Sequence, residues 1–176
     1  MKKNIFLTGP PSSGKTTVIR NVIAGLRHPA NGFYTEEERI DGKRVGFAMK
    51  TLKGEKGYLA HQDIKSEFHI RRYGVSIENI ETIAVPSIHP LHNNIIILDE
   101  IGKMECFSGV FKEAALNALD SPNIVVGTVT LGGDDFILQI KGRNDMEITE
   151  VSLSNRDTLP QLILHKITAL LNLSRD

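Results

Sequence analysis

One cysteine in 176 residues leaves no partner for an internal disulfide. A chain that relies on none fits a reducing compartment, and a cytoplasmic location is expected. An excess of charge of either sign is lacking as well, since 21 Lys and Arg balance 21 Asp and Glu. A nucleic-acid footprint carries a basic excess, so no nucleic-acid partner is expected. Long hydrophobic runs are missing. The longest clean one, Ile95-Ile96-Ile97-Leu98, falls far short of the roughly 20 residues that cross a bilayer, so no membrane span is expected. Met1-Lys2-Lys3 is basic, but the apolar stretch after it stops at Thr8, which does not read as a signal peptide. Asn172-Leu173-Ser174 matches a glycosylation acceptor that a cytoplasmic chain would not use. The six histidines show no metal spacing: His89 and His92 are close, but no acid or cysteine completes a set with them.

What is present is ordinary in bulk. Hydrophobic residues make up 40% and charged residues 24%, as in a globular domain. The length suits a single domain over residues 1–176 that buries a core without metals or disulfides. No repeat, low-complexity tract or linker interrupts it.

Read for periodicity, strands alternate with helices. Lys3 to Thr8 predicts a strand, and Lys15 to Leu26 a helix with Val18, Ile19, Val22, Ile23 and Leu26 on one face. Gly32 to Arg39 and Arg44 to Thr51 are extended runs joined by Asp41-Gly42, a hairpin signal; Gly57 to Ala60 extends that sheet. Residues 61–74 are polar and give no clear pattern. Ser76 to Val85 predicts a helix capped by Ser76. Asn94 to Leu98 and Asn123 to Val129 read as buried strands, Val110 to Leu119 as a helix with Val110 facing inward, Asp134 to Lys141 as a short helix, and Met146 to Val151 as a strand. Thr158 and Gln161 predict a capping box opening the last helix, whose inward face includes Leu162. Such alternation implies a mainly parallel α/β sheet covered on both faces, with an inserted antiparallel hairpin.

One segment carries chemistry outright. Gly9-Pro10-Pro11-Ser12-Ser13-Gly14-Lys15-Thr16 follows the first predicted strand and opens the first helix. This is the strand–loop–helix context of a phosphate-binding loop. Gly14 lets the backbone approach an anion, Lys15 places a charge on the β and γ oxygens, and Thr16 offers a hydroxyl to Mg²⁺. The helix presents its positive end, with Thr17 in its first turn. The fold this implies is the three-layer sandwich of phosphate-loop (P-loop) NTPases.

A second segment answers it. Ile95-Ile96-Ile97-Leu98 ends in Asp99-Glu100. An acid at a strand tip beside a phosphate loop lies near the bound metal, and Asp99 is expected to hold it through water. Glu100 would reach beyond the γ-phosphate and polarise a water for in-line attack. An acid pair favours water as nucleophile, and hence hydrolysis.

These residues together resemble the small nucleoside-triphosphatase family named for thermophiles, which has a human cancer-related member. Beside the phosphate loop, the resemblance rests on Gly32-Phe33-Tyr34-Thr35-Glu36-Glu37 with Gly46-Phe47, on Arg72-Tyr73-Gly74-Val75, on Asp99-Glu100-Ile101-Gly102-Lys103-Met104-Glu105, and on Asn155-Arg156-Asp157. Ser12 and Ser13 depart mildly from the family's usual pair, at positions variable in the loop pattern. The resemblance implies hydrolysis of ATP, GTP and other nucleoside triphosphates to diphosphates, with loose base choice and slow turnover. It implies a phosphate site over Gly9 to Thr16, and Asp99 and Glu100 as the metal and water acids. It also implies a strand order that separates the loop strand from its neighbour in sequence.

Further candidates are weaker. Thr128 near a strand tip is a candidate γ-phosphate sensor, and Lys103 a phosphate contact or an exposed partner of Glu105. Arg71, Arg72, Arg143 and Arg156 are candidates for transition-state charge, with Arg143 and Arg156, flanking the last strand, favoured for base or ribose. Cys106 reads as a small helix-start filler. A kinase would need an acceptor pocket and an arginine lid, for which Arg71-Arg72 is the one paired stretch. A guanine switch would need Asn-Lys-x-Asp, which the sequence lacks.

Overall fold

The computed structural model describes residues 2–173; the acceptor-like Asn172-Leu173-Ser174 runs outside them at Ser174. Strands and helices follow in the order β1 (Asn4–Thr8), α1 (Lys15–Gly25), β2 (Ala30–Ile40), β3 (Lys43–Thr51), β4 (Lys56–His61), β5 (His69–Ile70), β6 (Tyr73–Val75), α2 (Ile77–Asn79), α3 (Val85–Ser87), β7 (Ile95–Ile101), α4 (Gly109–Asp120), β8 (Val125–Val129), α5 (Asp135–Lys141), β9 (Met146–Glu150) and α6 (Leu159–Leu173). They build one nine-stranded sheet in the order β5-β6-β4-β3-β2-β7-β8-β1-β9. The five strands from β2 to β9 run parallel. The loop strand β1 lies between β8 and β9, and β8 and β7 separate it from β2.

The apolar runs divide by alternate residues, as a sheet covered on both faces requires. Ile5, Leu7, Ile95 and Ile97 face α1 and α6 with Val18, Ile19, Val22, Ile163 and Ile167. Phe6, Ile96 and Leu98 face the other way, against Phe111 and Ala115 of α4 and Ile137 and Ile140 of α5. Burying each such side chain contributes about 1.5–3 kcal/mol.

The antiparallel portion is larger than one hairpin. β2 and β3 pair through the Asp41-Gly42 turn, where both residues have positive φ, 49° and 76°, as a two-residue hairpin turn matching strand twist demands. β4, β6 and β5 continue that sheet. The polar stretch 61–74 thus contains the short pair β5–β6, held by Tyr73 packing edge-on to Phe47 at 5.6 Å.

Several local expectations change. Ser76 does cap, its hydroxyl accepting from Asn79 N, but the helical segment it opens is interrupted by a π turn over Ile80–Ala84. Thr158 forms no capping box; its hydroxyl donates to Asn155 O. Val110 and Leu162 are exposed rather than inward, because Phe111 and Ile163 take the buried face beside them. β7 does not stop at Leu98. It continues through Asp99 and Glu100 to Ile101, which is buried and pairs with Val129 after a register shift.

Candidate phosphate and carboxylate site

Sheet register fixes where the chemistry gathers. Leu7 of β1 stands beside Thr128 of β8, Leu98 of β7 beside Gly127, and Phe33 of β2 beside Leu98. The carboxyl ends of β1, β8 and β7 therefore carry the phosphate loop, Thr128, and Asp99 with Glu100, and Thr35 lies just past the stretch of β2 that pairs with β7. Ligands of open α/β sheets bind at this rim.

The phosphate loop leaves β1 through Gly9 (φ 144°) and Ser12 (φ 64°) and enters α1 at Gly14 (φ 101°). Gly14 caps α1 without a side chain and no acid lies in its first turn, so the helix's first N–H groups face outward without competition. Lys15 Nζ reaches back across the loop to Gly9 O at 2.9 Å and Pro10 O at 3.1 Å. Pro10, Pro11, Ser12 and Thr17 are exposed, while Ser13 and Thr16 are half-buried.

Asp99 is 1% exposed. Burial raises its carboxyl, against which the Thr128 hydroxyl, the Thr16 hydroxyl, the Thr35 backbone N–H and the Lys15 charge favour the ionised form. Thr128 Oγ1 donates to Asp99 Oδ1 at 2.5 Å. The other oxygen, Oδ2, is buried and makes no hydrogen bond among the described residues. Glu100 is half-buried, and burial first, then the adjacent Asp99 charge, push it up to about 7 while Lys15 pulls it back.

A third acid joins them. Glu105 is 3% exposed and raised well above the usual carboxylate range by burial, then by Glu100, with its own backbone N–H and that of Gly102 as the opposing groups. A Cβ on Gly102 would stand 2.8 Å from Glu105 Oε2 and 3.4 Å from Glu100 Cδ, so both carboxyl groups border the same small residue. Lys103 is exposed and forms no ion pair with Glu105. Cys106 beside it is buried, and burial pushes its thiol up to about 12, which suits a filler and not a nucleophile.

The arginines separate. Arg143 lies at the opposite rim, where it pairs with Asp145 and Asp120 near Asn4; it does not reach the phosphate loop. Arg72 is held at the far antiparallel edge by Arg44 O and Tyr73 Oη. Arg156 does come to the site. Asn155 pins the loop after β9, accepting from Ser152 N and donating to Glu150 O, both at 2.9 Å, and Val151 N bonds Thr8 O. Arg156 Cδ is then 3.4 Å from where a Cβ on Gly14 would stand. On the other flank, Glu36 of the hairpin pairs with Arg20 of α1 at 3.2 Å and with Lys50 at 2.6 Å.

Of the two arginines favoured for base or ribose, Arg156 reaches the phosphate loop and Arg143 does not; residues before and after one strand lie at opposite rims, so both cannot face the nucleotide. The burial of Glu105 carried no such signal in the sequence.

Residues 4–164 match the family described as NTPase. The chain is 42% identical to the nucleoside-triphosphatase THEP1 of Thermotoga sp. (strain RQ2), covering 97% of each chain. It is 35% identical to the cancer-related nucleoside-triphosphatase of Homo sapiens, covering 93% of this chain and 96% of that one. The crystal structure of THEP1 from Aquifex aeolicus superposes with a TM-score of 0.85 at 31% identity, over 93% of this chain and 98% of that one.

Proposed function

The chain belongs to the NTPase family, and on that premise we propose that it hydrolyses nucleoside triphosphates to the diphosphate and phosphate, using Mg²⁺, with Lys15, Asp99 and Glu100 as the acting residues. The observation that carries this is the meeting, at one rim, of the loop that ends in Lys15 and Thr16 with the β7 acids.

The donor set fits magnesium. Asp99 Oδ2 is buried and without a hydrogen bond among the described residues, the Thr16 hydroxyl acts on the same carboxyl, and hard oxygen donors are what Mg²⁺ takes. Bound there, Mg²⁺ would neutralise charge on the phosphoryl oxygens. The protein's own groups do the rest. The amides from Gly9 to Thr17 cradle the polyanion, with Pro10 and Pro11 shaping the loop without donating N–H. Lys15 leaves its carbonyl partners Gly9 and Pro10 for the β and γ oxygens, where a preorganised charge counts most. Glu100, whose carboxyl burial raises to about 7, accepts a proton in its carboxylate form from water as that water attacks phosphorus.

Against a kinase reading, Arg72 of the paired stretch that a lid would need is held at the far antiparallel edge. The test is Glu100→Gln, which keeps shape and removes the base. Phosphate release should fall about 10²- to 10⁴-fold while nucleotide affinity, read by fluorescence of a labelled triphosphate, stays at the wild-type value. A glutamine variant with wild-type turnover would exclude Glu100 as the base. Phosphate transfer that requires an added hydroxyl compound would exclude hydrolysis as the reaction.

A further inference from the structure

Thr128 occupies the place of a γ-phosphate sensor, on the strand between the loop strand and the acid strand. It does not have a sensor's freedom. It is 0% exposed, and a threonine hydroxyl has one proton to give. That proton goes to Asp99 Oδ1 at 2.5 Å. Its direction is set twice over, by the stiff β-branched side chain and by the β1–β8 register that seats Thr128 beside Leu7.

A buried carboxylate has two oxygens to satisfy. Here one is satisfied by Thr128, and the other, Oδ2, is left without a hydrogen bond among the described residues, while the Thr16 hydroxyl and the Thr35 backbone N–H are further groups acting on the same carboxyl. The division is uneven in a useful way. A carboxylate free to rotate would share its donors between both oxygens; one anchored at Oδ1 presents Oδ2 in a single orientation. Groups that orient a metal ligand in this manner contribute to metal affinity without touching the metal.

We propose that Thr128 is a positioning residue for the divalent cation: it locks Asp99 so that Oδ2 alone is offered, and it does not read the γ-phosphate. This rests on Asp99 being the metal-side acid of the proposed hydrolase.

The test uses the full chain saturated with ADP, so that no turnover interferes, and Mn²⁺ as the probe, followed by the electron paramagnetic resonance signal of the free ion. Thr128→Val removes the hydroxyl and keeps the shape; Thr128→Ser keeps the hydroxyl. The valine variant should bind Mn²⁺ about tenfold more weakly, at the low end of the loss typical for such supporting groups. The serine variant should bind close to wild type. ADP affinity in EDTA should be equal in all three proteins. Equal Mn²⁺ binding by wild type and the valine variant would overturn the proposal. So would a serine variant as weak as valine, since packing and not the hydroxyl would then be at work, or a valine variant whose ADP affinity in EDTA falls by the same factor. A wild-type protein that binds Mn²⁺ no better than ADP does alone would remove Asp99 as the metal-side acid, and the proposal with it.

Discussion

The side chain of Arg156 lies across Gly14, its Cδ 3.4 Å from where a Cβ on that glycine would stand. The loop after β9 is thereby packed onto the phosphate loop at Gly14, and it brings a second cationic side chain to that loop. Among the described residues Arg156 has only a loose ion-pair partner, Asp157 at 3.7 Å, and its side chain is 43% exposed.

Arg156→Ala should therefore weaken nucleotide binding while leaving saturated turnover nearly intact, because Lys15 and Glu100 stay in place. A half-exposed charged contact contributes about 1 kcal/mol after screening, or roughly fivefold in KM. ATP and GTP should lose affinity alike. Steady-state kinetics on both would show it, and an unchanged KM would mean that the guanidinium points away from the ligand.

Glu105 makes the fold sensitive to pH. Its carboxyl is raised well above the usual range by burial and by Glu100, so the folded protein holds that proton more tightly than the unfolded chain does. The associated stability is fully present below the unfolded value near 4.5 and is lost as pH rises through the folded one. Glu105→Gln is neutral throughout. Its melting temperature relative to wild type should climb as pH rises above about 4.5, and melts recorded from that pH upward would reveal this. A constant difference would show that the folded carboxyl titrates as the unfolded one does, with no upward shift.

Gly32 is a point where sequence tolerance should be nil. Its φ is +125°, and an added Cβ would stand 1.9 Å from Ile97 O. Gly32 sits opposite Ile97 on the β2–β7 ladder, so relief would require prying β2 from β7 and drawing Thr35 away from Asp99. Gly32→Ala should cost more than about 4 kcal/mol. A urea midpoint equal to wild type would contradict the close approach of these two strands.

How much of this was legible beforehand depends on how far apart in sequence the cooperating atoms lie. The phosphate loop was readable because its groups occupy eight consecutive residues between a strand and a helix. The hairpin turn at Asp41-Gly42 was readable for the same reason. Ile95 to Leu98 announced a strand buried on both faces, but not that it would run on through the acids to Ile101, since that depends on Val129 being there to pair with. β5 and β6 escaped notice because two- and three-residue strands have no period; only the sheet edge offered by β4 makes them strands.

The sequence by itself determined the chemistry on offer: a loop built to enclose phosphate, a lysine within it, and two acids at the end of an apolar run. Tertiary structure alone decided what stands beside what. Strand order placed Thr128 between loop and acids and gave its hydroxyl to Asp99. The parallel direction of β9 sent Arg143 to one rim and Arg156 to the other, and the turn after β7 buried Glu105 against Gly102. Local pattern fixes what a residue is able to do. Which neighbour it does it with follows from the pairing of strands distant in sequence, and periodicity carries no information about that pairing.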